Sequence, residues 1–492
     1  MGSMTRLVRN TLVIMSGTLA SRVLGLVRQA VFNNLFADPL KDAFNVAYRV
    51  PNLFREVVAE GAVTNALVPI LKSLPPHEAR TFAQRFGAAL LGVNLLLLGL
   101  GWVGAPWIAD LLVAEGSALD LELVTYLIRL VMPFLTAISM SAFFAALLHA
   151  DERFFAPSFA PIAFNVGATL LMLAWPGSPL ALGLAFTVGG ALQALVQWPY
   201  LRGYRFAFRW HPGIARAARL MGPFVFTTSV RQLLTVVLTV ILTGFPQAAV
   251  TGFYNAEMIY LMGLGLLAVS PATALYPRLA AAAAAGNAEI FRSLLERGLV
   301  RMSVLLGVAT GLLAGLAPWV IHTLYAWTPR FSPENARFST EALAALALAL
   351  VPWGLYTLLV RAHYAREEVA AAVRVSVTIF LLNTLGYYLL APRGMYALNL
   401  ATVAAGGVGL VWLSGRLARL GVLNARSLGF VLARVGAAAV VAGTLAYQTA
   451  RALGPAGSAL ESLPPLAAGG AVGLGAYLLL ARLLGLPVSL RR

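Results

Sequence analysis

The sequence predicts an all-α polytopic membrane protein of about fourteen transmembrane helices, with two parallel-repeat six-helix lobes and two C-terminal helices. Three observations carry this. Of 492 residues, 60% are hydrophobic and 11% charged, with a mean hydropathy of +0.81; soluble domains carry about 25% charged residues. Fourteen segments are long and apolar enough for a bilayer-crossing helix, which needs about 20 residues. The loops between them alternate between basic and cation-poor.

The segments centre on 10–36, 41–72, 86–114, 119–149, 155–175, 179–201 and 216–244 in the first half. They continue at 247–280, 291–326, 339–365, 369–391, 396–415, 427–450 and 464–486. Several exceed one bilayer thickness and must tilt or extend beyond it. Pro51 and Pro69 in the second, Pro133 in the fourth and Pro223 in the seventh remove helical hydrogen bonds and predict kinks. The connections are short and leave no room for a soluble domain.

Orientation follows from the cations. One set of loops holds Lys72, Arg80 and Arg85, then Arg153, then Arg202, Arg205, Arg209, Arg216 and Arg219. Later members hold Arg292 and Arg297, Arg361 and Arg366, and Arg416, Arg419 and Arg426. The alternate loops are poor in cations or acidic, as in "AEGSALD" at 114–120, "WPGSP" at 175–179 and "TGFPQAA" at 243–249. Both termini are therefore expected in the cytoplasm, and Arg491-Arg492 agrees. The net charge of +17 belongs to loops facing an anionic leaflet rather than to nucleic-acid binding. No cleavable signal is visible, and Met1-Gly2-Ser3 ahead of Met4 reads as an addition.

Enzyme chemistry finds little support. Cysteine is absent, which removes thiolate nucleophiles and Cys-ligated metals. The five histidines are scattered, and no metalloprotease or phosphate-loop motif occurs. No metal site and no cofactor are expected.

An internal repeat is visible. "NALVPILKSL" at 65–74 resembles "TALYPRLAAA" at 273–282, with Pro69 matching Pro277 and Leu67 matching Leu275. Each is followed by a short polar turn and a similar helix start, "EARTFAQRFG" at 78–87 and "AEIFRSLLERG" at 288–298. An offset of six helices preserves orientation, so the halves are parallel repeats, an architecture in which substrate binds between them.

The first two segments are heavily charged. They carry Arg22, Arg28, Asp42, Arg49, Arg55, Glu56 and Glu60. A cation at the bilayer centre costs at least about 2.5–3.5 kcal/mol, so these groups must pair, reach an interface or face water. Arg22 and Arg28 are six residues apart, about 240° around a helix. Asp42, Arg49 and Glu56 follow at sevens and share one stripe, where they are able to pair. Asn52 and Arg55 point about 120° away from that stripe. Two readings follow: ion pairs that tie the two helices together, or an excess of cations lining a wet cavity for an anion. Guanidinium forks suit the oxygens of a phosphate or diphosphate. Arg231, in the seventh segment, brings a further cation, either to that cavity or to a pair with Glu257.

"SRVLGLVRQAVFNNLF" at 21–36, followed by "DAFNVAYRVPNLFREVVAEGAVTNALVP" at 42–69, resembles the signature of the MurJ family of bacterial lipid II flippases, within the multidrug/oligosaccharidyl-lipid/polysaccharide exporter superfamily. The close resemblance covers about residues 16–72, and the fourteen-helix pattern spans the chain. It implies an N-lobe over 4–210, a C-lobe over 211–420, and a polyprenyl-tail groove in helices 13–14 over 421–492. It implies export of lipid II or a similar polyprenyl-diphosphate lipid by alternating access, by a monomer among membrane lipids. The family's cavity arginines fall on Arg22, Arg28 and Arg55, and its acidic positions on Asp42 and Glu60. Arg49 and Asn52 lie between them as further candidates. Gln29 stands where many members have Asp, and Ala256-Glu257-Met258 where they carry A-D-R, so Arg231 is the candidate replacement cation. The carboxylates of the sodium site described for some members, on helices 7 and 11, are missing. Helix 11 offers only Asn383, which argues against sodium coupling and leaves the membrane potential as a driver, at about 2.3 kcal/mol per charge per 100 mV.

Rival readings are a drug exporter of the same superfamily, a membrane enzyme acting on lipid diphosphates, and a scaffold. The first calls for an acidic or apolar cavity, the second for clustered acids and a metal. The third leaves the buried cations unexplained.

Overall fold

A computed structural model describes residues 2–58 and 62–487, with side chains left aside at 2–12, 14, 57, 58, 62, 64, 65, 223–231, 233 and 234. Glu60, the Arg231 side chain and Arg491-Arg492 therefore lie outside the described residues. The described residues form helices joined by short turns and no strand. The chain divides into two compact units, Met1–Val250 and Thr251–Arg492.

The first unit holds α1 (Gly2–Leu35), α2 (Asp38–Val58), α3 (Ala62–Ser73), α4 (Pro76–Val103), α5 (Ala105–Leu112), α6 (Leu121–Val131), α7 (Pro133–Ala150), α8 (Phe155–Ala174), α9 (Pro179–Leu195) and α10 (Pro212–Thr243). The first helix lies along α8, which pairs with α9, while α2 lies on α6 and α7. Gly17 makes the first of these contacts possible, because a Cβ there would stand 2.4 Å from the Ser158 carbonyl oxygen. One apolar core forms where Leu67 and Ile70 of α3 meet Phe82 and Phe86 of α4 and Phe143 of α7.

The second unit continues with α11 (Ala249–Leu264), α12 (Ser270–Ala284), α13 (Ala288–Tyr325), α14 (Pro333–Ala365), α15 (Val369–Leu390), α16 (Met395–Arg419), α17 (Ala425–Leu453) and α18 (Ala459–Leu483). A π-helical turn at Gly265–Val269 joins α11 to α12, a device often found at functional helices. Glycine again sets the closest approach: a Cβ at Gly443 would lie 2.6 Å from the Gly311 carbonyl oxygen, so α13 and α17 touch backbone to backbone. The last helix, α18, closes against both, and its buried Tyr477 hydroxyl donates to the Val304 carbonyl at 2.9 Å. An apolar groove of about 560 Å³ is lined by α13, α14 and α17, among them Gly315, Leu348, Val440 and Tyr447. At one end of the unit Glu368 accepts from Arg366 at 3.3 Å and Arg416 at 2.9 Å, tying the α14–α15 turn to α16. Burial alone would raise the Glu368 carboxyl, but the hydrogen bonds from the two arginines outweigh it and hold the group below the ordinary carboxylate range.

Eleven helices among the described residues are long and apolar enough to cross a membrane. The remaining expected segments, 10–36, 41–72 and 216–244, coincide with α1, with α2 and α3, and with α10. Helix starts outrun the apolar windows. Pro76 opens α4 ten residues before 86, and Asn287 caps α13 through Ile290 N–H, because these amphipathic first turns are helical without being apolar. Pro133 does more than kink its segment: it separates α6 from α7. The repeat junction recurs inside each unit. Pro69 lies within α3 and Pro277 within α12, and the following helices bury Phe82 and Phe291 at 0% and 1% exposure.

Candidate functional site

Everything at this site lies in the first unit. The arginines of α1 are held from α8. Asn165 donates to the Ser21 carbonyl at 3.2 Å and to its hydroxyl at 3.4 Å, fixing the register of the turn that carries Arg22. Arg22 Nη1 is buried without a hydrogen-bond partner. One and a half turns on, the Arg28 guanidinium carbon lies 5.1 Å from the centre of the Phe164 ring and 4.6 Å from that of Phe186. Arg28 Nε and Nη1 are likewise buried and unpartnered. No carboxylate of the described residues pairs with Arg22 or Arg28.

The Arg28 cage is aromatic throughout. Phe164 and Phe186 meet edge to face at 5.6 Å, and Tyr48 and Phe44 of α2 stand 4.6 and 4.7 Å from Phe186. Ring faces attract a cation but do not neutralise it, so the site keeps its positive charge. Gln29, the next residue in the chain, adds none of the negative charge that an aspartate would.

On α2 the geometry departs from the expected stripe. Arg55 Nε donates to Asn52 Oδ1 at 2.8 Å, and Asn52 Nδ2 donates to Glu56 Oε1 at 2.9 Å. Arg55 Nη2 lies 3.9 Å from Glu56 Oε1. Asn52 and Arg55 were expected to point away from Glu56. Instead Asn52, three residues before Arg55 and four before Glu56, is a neighbour of both on the helix surface and bridges them. Gln232 of α10 donates to the other Glu56 oxygen. Arg55 is thus partly compensated while Arg28 is not, and the two cations are near enough to repel each other.

Asp42 is 1% exposed, and its Oδ2 accepts the Ala248 N–H at 2.7 Å. Ala248 sits at φ +74°, a left-handed conformation that alanine adopts at a cost. Arg49 is buried on the same helix. At the start of α2 the fully buried Lys41 reaches Asp38 Oδ1 at 2.6 Å and the Asn33 carbonyl at 3.3 Å. Arg129 leaves the apolar interior by lying over Trp102 at 5.3 Å and donating to its carbonyl at 3.3 Å.

Sequence reasoning therefore named the arginines and missed Phe164, Phe186, Asn165, Gln232 and Lys41. Only Lys41 carried a signal, an i,i+3 Asp-Lys pair inside an apolar run.

Among known proteins, a family model described as Lipid II flippase MurJ matches residues 31–462. The Lipid II flippase MurJ of Burkholderia cenocepacia is 30% identical over 466 residues, 89% of either chain. A probable lipid II flippase MurJ of Haemophilus influenzae is 30% identical over 404 residues, 76% of this chain and 79% of the relative. The solved structure of a lipid II flippase MurJ in an inward closed conformation aligns with a TM-score of 0.79 at 21% identity, covering 96% of this chain and 99% of that one. An inward-facing MATE family transporter of the MOP superfamily aligns at 0.66 with 15% identity, covering 83% and 98%. These two structural likenesses speak for the fold.

Proposed function

The chain belongs to the lipid II flippase MurJ family, and from that premise we propose that it carries lipid II from the inner to the outer leaflet of the bacterial inner membrane by alternating access. It is a transporter and breaks no covalent bond. The observation that carries the reading is the pair of half-buried arginines, Arg22 and Arg28, with Arg22 Nη1 and Arg28 Nε and Nη1 buried and without a protein acceptor. A diphosphate supplies oxygens in the spacing a guanidinium fork fits, and Arg55 adds a third, weaker contact from α2. Asn52 and Glu56 orient Arg55. Arg231, Glu60, Asp42 and Arg49 are retained as further substrate-binding candidates from the sequence.

The rest of the cycle follows from the sequence. Fourteen spans put both termini in the cytoplasm, and lobes over 4–210 and 211–420 rock about the bound headgroup in a single chain acting as a monomer. An anionic headgroup moving outward runs downhill in an inside-negative potential, at about 2.3 kcal/mol per charge per 100 mV. Sodium is not needed. On α15 the Asn383 amide donates to the Tyr387 hydroxyl at 3.3 Å, and that hydroxyl meets Thr402 Oγ1 at 2.7 Å, while Asn383 Oδ1 is buried without a hydrogen-bond partner.

The test is translocation of fluorescent lipid II in vesicles holding the purified chain, with the potential set by a potassium gradient. Wild-type protein is expected to expose the lipid outside at the same rate in sodium and in choline salts. No exposure above protein-free vesicles, or an unchanged rate in an Arg22→Ala/Arg28→Ala double variant, defeats the proposal.

We assign the polyprenyl tail to the groove of α13, α14 and α17, with α18 as the buttress behind α17. Val440 stands on its rim, 69% exposed. Val440→Trp is expected to slow translocation about tenfold, equivalent to denying the tail roughly two buried methylenes. Binding of a short-tailed analogue stays unchanged; an equal loss for both lipids removes the tail from this groove.

A further inference from the structure

We propose that the loop end of the first unit carries a built site for the phosphate of an anionic phospholipid, separate from the arginines of α1 and α2. Its place is a cleft of about 430 Å³ between the α3–α4 turn, the end of α7 and the segment after α9. Lys72, Arg80, Arg153 and Arg202 line it, with Asp151 as the one acid among its lining residues. Its walls are apolar or aromatic, including Leu74, Leu147 and Tyr204. This is the profile of a lipid headgroup region, cationic at the rim and greasy beneath.

Two observations set the cleft apart from an ordinary basic loop. The first is that its arginines are fixed. Arg80 Nη2 donates to the Gly203 carbonyl at 3.0 Å, and Arg153 Nη1 donates to the Tyr200 carbonyl at 3.0 Å. Each guanidinium is aimed by one bond to the same short segment and keeps further N–H groups for a ligand. The second is backbone strain. Arg202 sits at φ +40° and Gly203 at +72°. A non-glycine residue in this region is strained and persists when surrounding structure enforces it. The enforcement here comes from the Arg80 and Arg153 bonds and from Tyr204, whose hydroxyl donates to the Ala83 carbonyl at 3.1 Å. The strained segment presents Arg202 at the cleft with no carboxylate partner among the described residues. Loops that were basic only to satisfy the positive-inside rule would need none of this.

An inner-leaflet phospholipid is the occupant that matches both halves of the cleft: a phosphodiester for the arginines and acyl carbons for the leucines. Phosphatidylglycerol adds net charge where phosphatidylethanolamine is neutral, so selectivity between them reads the site. The experiment uses the full chain in detergent, titrated with each lipid and followed by native mass spectrometry. Wild-type protein is expected to retain phosphatidylglycerol in preference to phosphatidylethanolamine. Arg80→Gln, Arg153→Gln and Arg202→Gln are each expected to lower that preference about fivefold, in line with about 1 kcal/mol per cation at an anionic surface. Arg205→Gln and Arg209→Gln, exposed cations of the same segment outside the cleft, are expected to leave it intact. Equal loss in these controls means that loop charge alone recruits lipid and overturns the site. Displacement of the lipid by millimolar inorganic phosphate assigns the cleft to a soluble anion and overturns the lipid. A variant that fails to bind lipid and also melts earlier is replaced by its lysine counterpart, which is expected to keep at least half of the preference.

Discussion

Arg28→Met is expected to abolish lipid II translocation and, at the same time, to raise the melting temperature of the purified protein. Burying a cation in a membrane helix costs at least about 2.5–3.5 kcal/mol. The two ring faces over which Arg28 lies return about 2 kcal/mol when desolvated. Without an anion the balance is unfavourable, and the residue is held at a loss by the rest of the fold. Methionine has nearly the same length and packs its sulfur against aromatic rings with about 0.3–1.5 kcal/mol of its own. Removing the charge should therefore stabilise the first unit by about 1 kcal/mol or more, the usual sign of a residue kept for function. Transport moves the other way. Two charge-assisted hydrogen bonds to a diphosphate, at about 1.5–3 kcal/mol each, correspond to a loss of at least 100-fold. Arg28→Lys keeps the charge but loses the fork, and a loss of about tenfold is expected. Thermal unfolding and vesicle translocation measured on the same preparations decide the matter. A melting temperature that falls with the activity would make Arg28 a structural residue.

The contrast between Arg28 and Arg55 explains what was legible in the sequence. A charged residue inside an apolar run is conspicuous because the bilayer penalises it, and no partner is needed to see the anomaly. What the charge meets is decided by tertiary packing. Phe164 and Phe186 lie more than a hundred residues from Arg28, in apolar segments where a phenylalanine carries no signal. Asn165, which fixes α1 through the Ser21 carbonyl, is equally silent. Helical spacing did place Asp42, Arg49 and Glu56 on one stripe. It failed for Asn52 because a short amide reaches both faces next to it, bonding Arg55 on one side and Glu56 on the other.

The same reasoning applies to the helices. Their spans were readable because the membrane imposes a length of apolar chain. Their first turns were not, since residues 76–85 and 288–290 are helical through capping and amphipathic packing rather than through apolarity. Family resemblance supplied the substrate, which neither hydropathy nor geometry names. Geometry supplied the groove of α13, α14 and α17, because glycine contacts such as Gly311 with Gly443 have no sequence signature among so many small residues.

Asp42 separates a carboxylate that touches substrate from one that holds the fold, and its substitution is the second large effect expected. Its Oδ2 accepts a buried N–H from Ala248, whose left-handed backbone has no side-chain excuse. Asp42→Ala removes a charge-assisted bond and leaves a buried donor orphaned, which costs about 3 kcal/mol. Asp42→Asn retains a carbonyl acceptor and should cost about 1 kcal/mol. Ala248→Gly relieves the left-handed strain and is expected to stabilise wild-type protein by about 1 kcal/mol, and to recover a similar amount in the Asp42→Ala background. The fall in melting temperature with Asp42→Ala is the diagnostic; glycine at 248 offsets part of it through backbone freedom, without restoring a carboxylate. Thermal unfolding reports the stability, and vesicle translocation reports the function. Were Asp42 instead a direct contact of the headgroup, Asp42→Ala would leave the melting temperature where it was while translocation dropped.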